Sequence, residues 1–129
     1  TGAVAHQAIL LAERAGARLS EARWLLSGGM GPASVVSGGE CLDHTIDGLC
    51  LITTGRIPPP ADRTGELYGK LVHEGIVPLD LAAGVSRARD LAHVAQGRGR
   101  GLVDATVARA VLEDAHALLG VLRGRLKGD

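Results

Sequence analysis

Aromatic side chains are almost absent from this chain, and their scarcity most constrains its fold. Trp24 and Tyr68 are the only aromatic residues, although 46% of the chain is hydrophobic. The core must therefore be built from Leu, Val, Ile and Ala. Such small side chains let helices approach one another closely, which favours a compact helical bundle. We expect Trp24 to anchor that core rather than to serve as a stacking platform.

Apolar residues recur at helical spacing along the chain, and glycine or proline residues separate the periodic segments. A first amphipathic helix is predicted over Ala3–Ser27, and a second runs from Pro32 to about Thr54. Within the second, Gly38 and Gly39 either weaken the helix or allow close contact with a neighbour. The other predicted helices are a short one over Thr64–His73, a fourth over Val77–Ala95 with Asp80 as its possible cap, and a fifth over Val103–Leu126 with Asp104 at its entrance.

No window of the sequence alternates as a strand does, and no long repeat is visible. The sequence therefore predicts one all-α domain over residues 1–129. Its architecture is predicted to be an antiparallel helical bundle of four long helices plus one short helix, because most of the connections are short.

Charge and cysteine content limit the classes of partner. The chain has 14 basic and 14 acidic residues, so no overall field attracts nucleic acid or anionic lipid, and any anion site must be local. Cys41 and Cys50 lie half a turn out of phase in one predicted helix and cannot pair within it. Free thiols fit a reducing compartment. Without a charged-then-apolar leader or an apolar run near 18 residues, we expect a cytoplasmic protein with no membrane partner.

The segment "SRARDLAHVAQGRGRG", residues 86–101, concentrates the chemistry-bearing side chains. Arginine can fork onto a phosphate and histidine can move a proton near neutral pH, so Arg87 and His93 together suggest metal-independent phosphodiester cleavage. On an ideal helix Arg87 and His93 differ by about 240°, whereas Arg89 shares a face with His93. Arg87 meets His93 only if the helix bends or a second chain contributes. The alternative is the basic, solvated end of a helix.

Three further groups of residues are candidate sites. Arg98 and Arg100 lie in "GRGRG", a basic loop that either assists phosphate binding or only connects two helices. Glu113 and His116 form one Glu-x-x-His pair, but di-iron bundles use two such pairs with further carboxylates. Glu40, His44 and Asp47 also share a helical face. We expect these residues to be solvated rather than metal ligands, and we predict no cofactor; a metal-binding four-helix bundle is the third hypothesis.

Taken in order, these elements resemble the HEPN superfamily, small all-α domains of prokaryotic toxin–antitoxin and nucleotidyltransferase-partner systems. "SRARDLAHVA" occupies the place of that family's motif, an arginine followed by several residues and a histidine. The other similar stretches are "LAERAGARLSEARWLLSGG" (11–29), "ASVVSGGECLDHTIDGLCLITTG" (33–55), "ELYGKLVHEGIVP" (66–78) and "VDATVARAVLEDAHALLGVL" (103–122).

The resemblance implies a homodimer in which two chains form one composite cleft. It implies metal-independent RNA cleavage, with His93 as general base or acid, Arg87 and Arg89 on the scissile phosphate, and Arg98 and Arg100 steering the RNA backbone. A nucleotidyltransferase or antitoxin protein is the implied partner. The sequence departs from the family pattern at Ala88, at Ala95 and in the missing tyrosines of the second helix. Ala88 and the missing tyrosines favour the leading alternative, a non-catalytic module that binds RNA or a nucleotide, or that pairs with a nucleotidyltransferase. Ala95 stands where one branch of the family has a tyrosine that receives nucleotides, so that modification is not expected here.

Overall fold

The computed structural model describes residues 2–97, 101 and 103–128, and this part of the chain is helical without strands, as the sequence predicts. The long helices are α1 (Gly2–Ser27), α2 (Gly31–Thr54), α4 (Leu79–Ala95) and α5 (Ala105–Gly128). Between α2 and α4 lie a 3-10 turn (Pro60–Asp62), the short helix α3 (Arg63–Glu66) and a π-helical segment (Leu67–Val72). In these described ranges, no helix has the length and apolar character needed to cross a membrane.

The ends of the helices follow from local chemistry. The carboxylate of Asp104 accepts a hydrogen bond from the Val107 N–H at 2.9 Å, which caps α5 as the sequence predicts. At the end of α2, Gly55 adopts a φ of 80°, and its N–H donates to the Leu51 carbonyl. Asp80 does not cap α4, because Pro78 precedes that helix and the Asp80 carboxylate accepts from the neighbouring Leu81 N–H.

Helix α2 lies at the centre of the fold and contacts α1, α4 and α5. Small residues make this packing close. A Cβ atom added at Gly39 would overlap the Cβ of Ala92 on α4, and one added at Gly38 would lie 3.2 Å from a methyl group of Val111 on α5. Of the two roles considered for Gly38 and Gly39, the structure therefore shows close contact between helices.

The expectation that Trp24 anchors the core is wrong. The indole is 72% exposed, and the buried face of α1 is formed by smaller side chains. These buried residues are Ala8, Leu11, Ala12, Ala15, Leu19 and Ala22. Trp24 follows Ala22 by two positions, which turns it about 200° away from that face. Hydrophobicity alone suggested burial, but the helical phase of the aliphatic residues decides it.

Both cysteines are free and buried in α2, as their phase difference predicts. Burial in an apolar environment raises the pKa of the Cys41 thiol to about 11 and that of Cys50 to about 12. For Cys50, the nearby carboxylates of Glu66 and Asp47 act in the same direction. The two thiols therefore pack as small apolar side chains rather than as nucleophiles.

Gly39→Ala should destabilise the fold by about 1–3 kcal/mol, because the new methyl group forces α2 and α4 apart. Gly120→Ala is the matched control, since the added Cβ atom meets nothing within 4 Å on the exposed side of α5. It should stabilise by about 0.5–1 kcal/mol through helix propensity. Urea unfolding followed by circular dichroism measures both. Equal effects of the two substitutions would contradict the close packing described for Gly39.

Candidate functional site

One stripe of α2 and one stripe of α4 form a small groove, here called the α2–α4 groove. It encloses about 160 Å³. The residues from each helix recur at spacings of three and four, which places them on the facing sides. The lining residues are Val36, Gly39, Glu40 and Asp43 of α2, and Arg89, Ala92, His93 and Gln96 at the end of α4. Gly39 and Ala92 form the point of closest approach beneath the polar side chains.

Arg89 is held in this groove by two hydrogen bonds. Its Nε donates to Asp43 Oδ1 at 2.7 Å, and its Nη1 donates to Thr64 Oγ1 at 2.8 Å. The Arg89 side chain is only 18% exposed. Within the part of the chain that the structure describes, its third nitrogen, Nη2, has no hydrogen-bond partner. The guanidinium group is therefore oriented by the protein and retains donor capacity for a ligand.

The carboxylate that holds Arg89 is also shared with Arg63. The Nη1 atom of Arg63 lies 3.5 Å from Asp43 Oδ2, while Nε and Nη2 donate to the two carboxylate oxygens of Asp47 at 3.0 and 2.9 Å. This bidentate bond with Asp47 raises the pKa of Arg63. The four side chains of Arg63, Asp43, Asp47 and Arg89, here called the α2 ion cluster, connect α2 to α3 and α4.

His93 lies four residues after Arg89 on the same side of α4 and shares the α2–α4 groove with it. The side chain is exposed, and in the described part of the chain its imidazole makes no hydrogen bond. Glu40, Asp43 and Gln96 supply the other polar groups of the groove. An exposed imidazole next to an oriented guanidinium can accept or donate a proton beside a bound anion.

Arg87 lies outside this groove, as its phase on an ideal helix predicts. It lines a separate, mostly apolar depression with Asp90, Leu91 and Val94 of the same helix. Its charge also acts on Asp114 of α5, whose pKa is raised by burial and lowered in part by Arg87. A single chain therefore brings Arg89, not Arg87, into one groove with His93.

The remaining predicted residues have separate positions. Arg98 and Arg100 fall outside the described residues. Glu113 and His116 line a groove between α1 and α5, where His116 Nδ1 lies 3.1 Å from Arg23 Nη2. Among residues 2–97, 101 and 103–128, no three His, Cys, Asp or Glu side chains form a group that could hold a metal ion.

Sequence reasoning missed three members of the site. Asp43, Arg63 and Thr64 were not singled out, because they join the site only through contacts between residues 16 to 46 positions apart. Asp43 and Thr64 bond to Arg89. Arg63 bonds to Asp47. The available signal was the carboxylates in "CLDHTIDGLC", which interrupt an otherwise apolar stretch. A buried carboxylate requires a cationic partner, but its position along the chain cannot be read from that stretch.

The size of the α2–α4 groove limits what it can hold. Its volume of about 160 Å³ is below the roughly 300 Å³ at which pockets for complete small ligands begin. The groove can accept one anionic group and part of its attached ligand, while the rest extends into solvent. Its own chemistry comprises one guanidinium donor, one imidazole and two carboxylates.

No family model, curated protein or solved structure matches this chain. The resemblance to the HEPN superfamily therefore stays a prediction.

Asp47→Asn should destabilise the fold by about 3 kcal/mol, because it leaves the half-buried Arg63 without its bidentate counter-ion. Glu74→Gln is the control, since it removes an exposed ion pair with Lys70 and should change the free energy of unfolding by less than about 0.5 kcal/mol. Urea unfolding near pH 7 measures both. A cost for Asp47→Asn no larger than that of the control would show that the cluster contributes little to stability.

Asp114→Asn should stabilise the protein near neutral pH and lose this advantage in acid. Burial against Gly84 of α4 raises the pKa of the Asp114 carboxyl, so the folded state binds its proton more strongly than the unfolded state does. The wild type therefore loses stability as pH rises through the folded pKa, whereas the asparagine variant does not. Unfolding of both proteins across pH 3 to 7 (about the range in which carboxyl groups titrate) measures the difference. Glu13→Gln, on the exposed side of α1, is the control, and a difference for Asp114→Asn that does not grow with pH would contradict the assignment.

Proposed function

We propose that this protein is a HEPN-like domain that binds RNA at the α2–α4 groove and cleaves it without a metal ion. The observation that carries the proposal is the presence of His93 and Arg89 in one groove. The chain itself orients the arginine through Asp43 and Thr64. A positioned guanidinium group can bind a phosphate, and a positioned imidazole can transfer a proton.

In this proposal Arg89 binds a non-bridging oxygen of the scissile phosphate. His93 takes the proton from the adjacent ribose 2′-hydroxyl, and the freed oxygen attacks phosphorus. The 5′-oxygen leaves and receives a proton from the protonated His93 of a second copy. The products carry a 2′,3′-cyclic phosphate and a 5′-hydroxyl, so atoms and protons balance without a metal or another cofactor.

A homodimer would complete the site. The groove is too small for a whole ligand, and Arg87 lies beside Leu91 and the exposed Val94 on an adjacent side of α4. An apolar surface of this kind suits contact with a second α4. Such a contact would bring Arg87 of the partner subunit towards His93, so that both arginines bind the scissile phosphate. Arg98 and Arg100, which follow α4 in the sequence, would bind the RNA backbone.

The second candidate is a binding module without catalytic activity. Two nitrogens of Arg89 are already bonded to protein groups, and Arg87 lies away from His93 within one chain. Such a domain would hold RNA or a nucleotide, or pair with a nucleotidyltransferase or antitoxin protein. It would bind without cutting.

We also propose that the domain is an antiparallel bundle of four long helices with one short helix and that it acts in the cytoplasm. The near-equal lengths of α1, α2 and α5 support the bundle, and two free buried thiols support a reducing compartment.

A ribonuclease assay in EDTA tests the activity. Wild type should release 2′,3′-cyclic phosphate products, and His93→Ala should lower the rate by about 10²–10⁴-fold, the usual contribution of a general acid or base. His73→Ala, an exposed histidine on the π-helical segment's C-terminal side, is the matched control and should cut at the wild-type rate. Arg87→Ala should slow cleavage only if a second subunit contributes that residue.

Equal cleavage by wild type and His93→Ala would refute the assignment of His93. Binding of labelled RNA without cleavage would support the second candidate. No binding of RNA at low salt, where phosphate contacts are strongest, would exclude the ribonuclease and the RNA-binding form of the second candidate.

A further inference from the structure

A second groove, with an apolar base and charged side chains in its lining, lies between α1 and α5, where the sequence predicted only surface residues. It is here called the α1–α5 groove and encloses about 290 Å³, more than the α2–α4 groove. Its lining residues are Arg23 and Leu26 of α1, and Arg109, Leu112, Glu113 and His116 of α5. The two leucines form the apolar base of the groove, and the arginine and histidine side chains line its sides.

The cationic side chains of this groove have few counter-ions. Arg18, Arg63, Lys70 and Arg89 each pair with a carboxylate elsewhere in the protein. Within the described ranges, neither Arg23 nor Arg109 has a carboxylate oxygen within 4 Å. Glu113 lines the same groove without reaching that distance. With two guanidinium groups and one carboxylate in its lining, the groove carries a net positive charge, and neither arginine is held in an ion pair by the described residues.

The contact between Arg23 and His116 fixes the direction of their donors. Arg23 can only donate, so at 3.1 Å its Nη2 donates to the Nδ1 lone pair of His116. With Nδ1 occupied as the acceptor, Nε2 is the ring nitrogen that faces a ligand as a donor. This arrangement suits an anion ligand and not a metal ion.

Trp24 follows Arg23 on α1 and exposes 72% of its surface. Trp24 does not line the groove, but an exposed indole one residue from Arg23 offers a stacking surface to a nucleobase that extends out of the groove, and every base has a π-face. The chain contains no other tryptophan.

We propose that the α1–α5 groove is a phosphate-binding site for a nucleotide or for one phosphate of an RNA chain. Arg23 and Arg109 bind the phosphate oxygens through their guanidinium forks, and His116 Nε2 adds a neutral donor. The leucine floor contacts the sugar, and Trp24 stacks on a base. Glu113 opposes the anion and limits its affinity. The site is independent of cleavage at the α2–α4 groove.

Calorimetric titration of the whole chain with adenosine monophosphate, a short oligouridylate and inorganic phosphate tests the proposal at low salt. Arg23→Gln and Arg109→Gln should each weaken binding roughly tenfold, the loss expected from one charge-assisted phosphate contact. Glu113→Gln should strengthen binding, because it removes the only carboxylate of the groove. Trp24→Ala should weaken the binding of adenosine monophosphate and leave the binding of inorganic phosphate unchanged.

Arg14→Gln is the matched control, since Arg14 lies on α1 half a turn out of phase with Arg23. It should bind adenosine monophosphate and inorganic phosphate within about twofold of wild type. Neither ligand contains an internucleotide bond, so their binding is measured separately from cleavage at the α2–α4 groove. Binding of adenosine monophosphate but not oligouridylate would identify a free nucleotide as the ligand; the reverse would identify RNA. No binding by wild type, or an equal loss with Arg14→Gln and Arg109→Gln, would overturn the proposal.

Discussion

The close approach of α4 to α2 is the constraint on which the rest of the structure depends. It is set by the absence of a side chain at Gly39 and by the single methyl group of Ala92. With any larger pair, the axes of the two helices would separate and the Arg89 guanidinium would move away from Asp43. The same small residues that allow an almost aromatic-free core therefore also fix the geometry of the α2–α4 groove.

Asp43 orients Arg89 in the α2–α4 groove that this close packing creates. One carboxylate faces two arginines, of which Arg63 is bound mainly to Asp47 and Arg89 mainly to Asp43. Because Arg63 compensates the charge of Asp47, Asp43 remains available to orient Arg89. A half-buried pair of this kind holds a guanidinium in one direction before any ligand arrives, which lowers the entropy lost on binding.

The sequence predicted the helical class well because helix formation is local. Periodic aliphatic residues, Pro32 and Asp104 mark where α2 and α5 run, and each signal lies within a few residues of the feature it determines. It also predicted that Arg89 and His93 share a face. The prediction that Trp24 is buried was wrong, because it rested on the hydrophobic character of the side chain and not on its phase on the helix. The partners of Arg89 were not predictable, since Asp43 and Thr64 reach it only after three helices have packed.

The reactivity of the two buried thiols reports local unfolding of α2. Burial raises the pKa of Cys41 to about 11 and that of Cys50 to about 12, so both side chains are thiols near neutral pH. The native state is thus nearly inert to alkylating reagents. Reaction requires α2 to separate from its neighbours, so the labelling rate of each cysteine measures the free energy of local unfolding at that point of the helix.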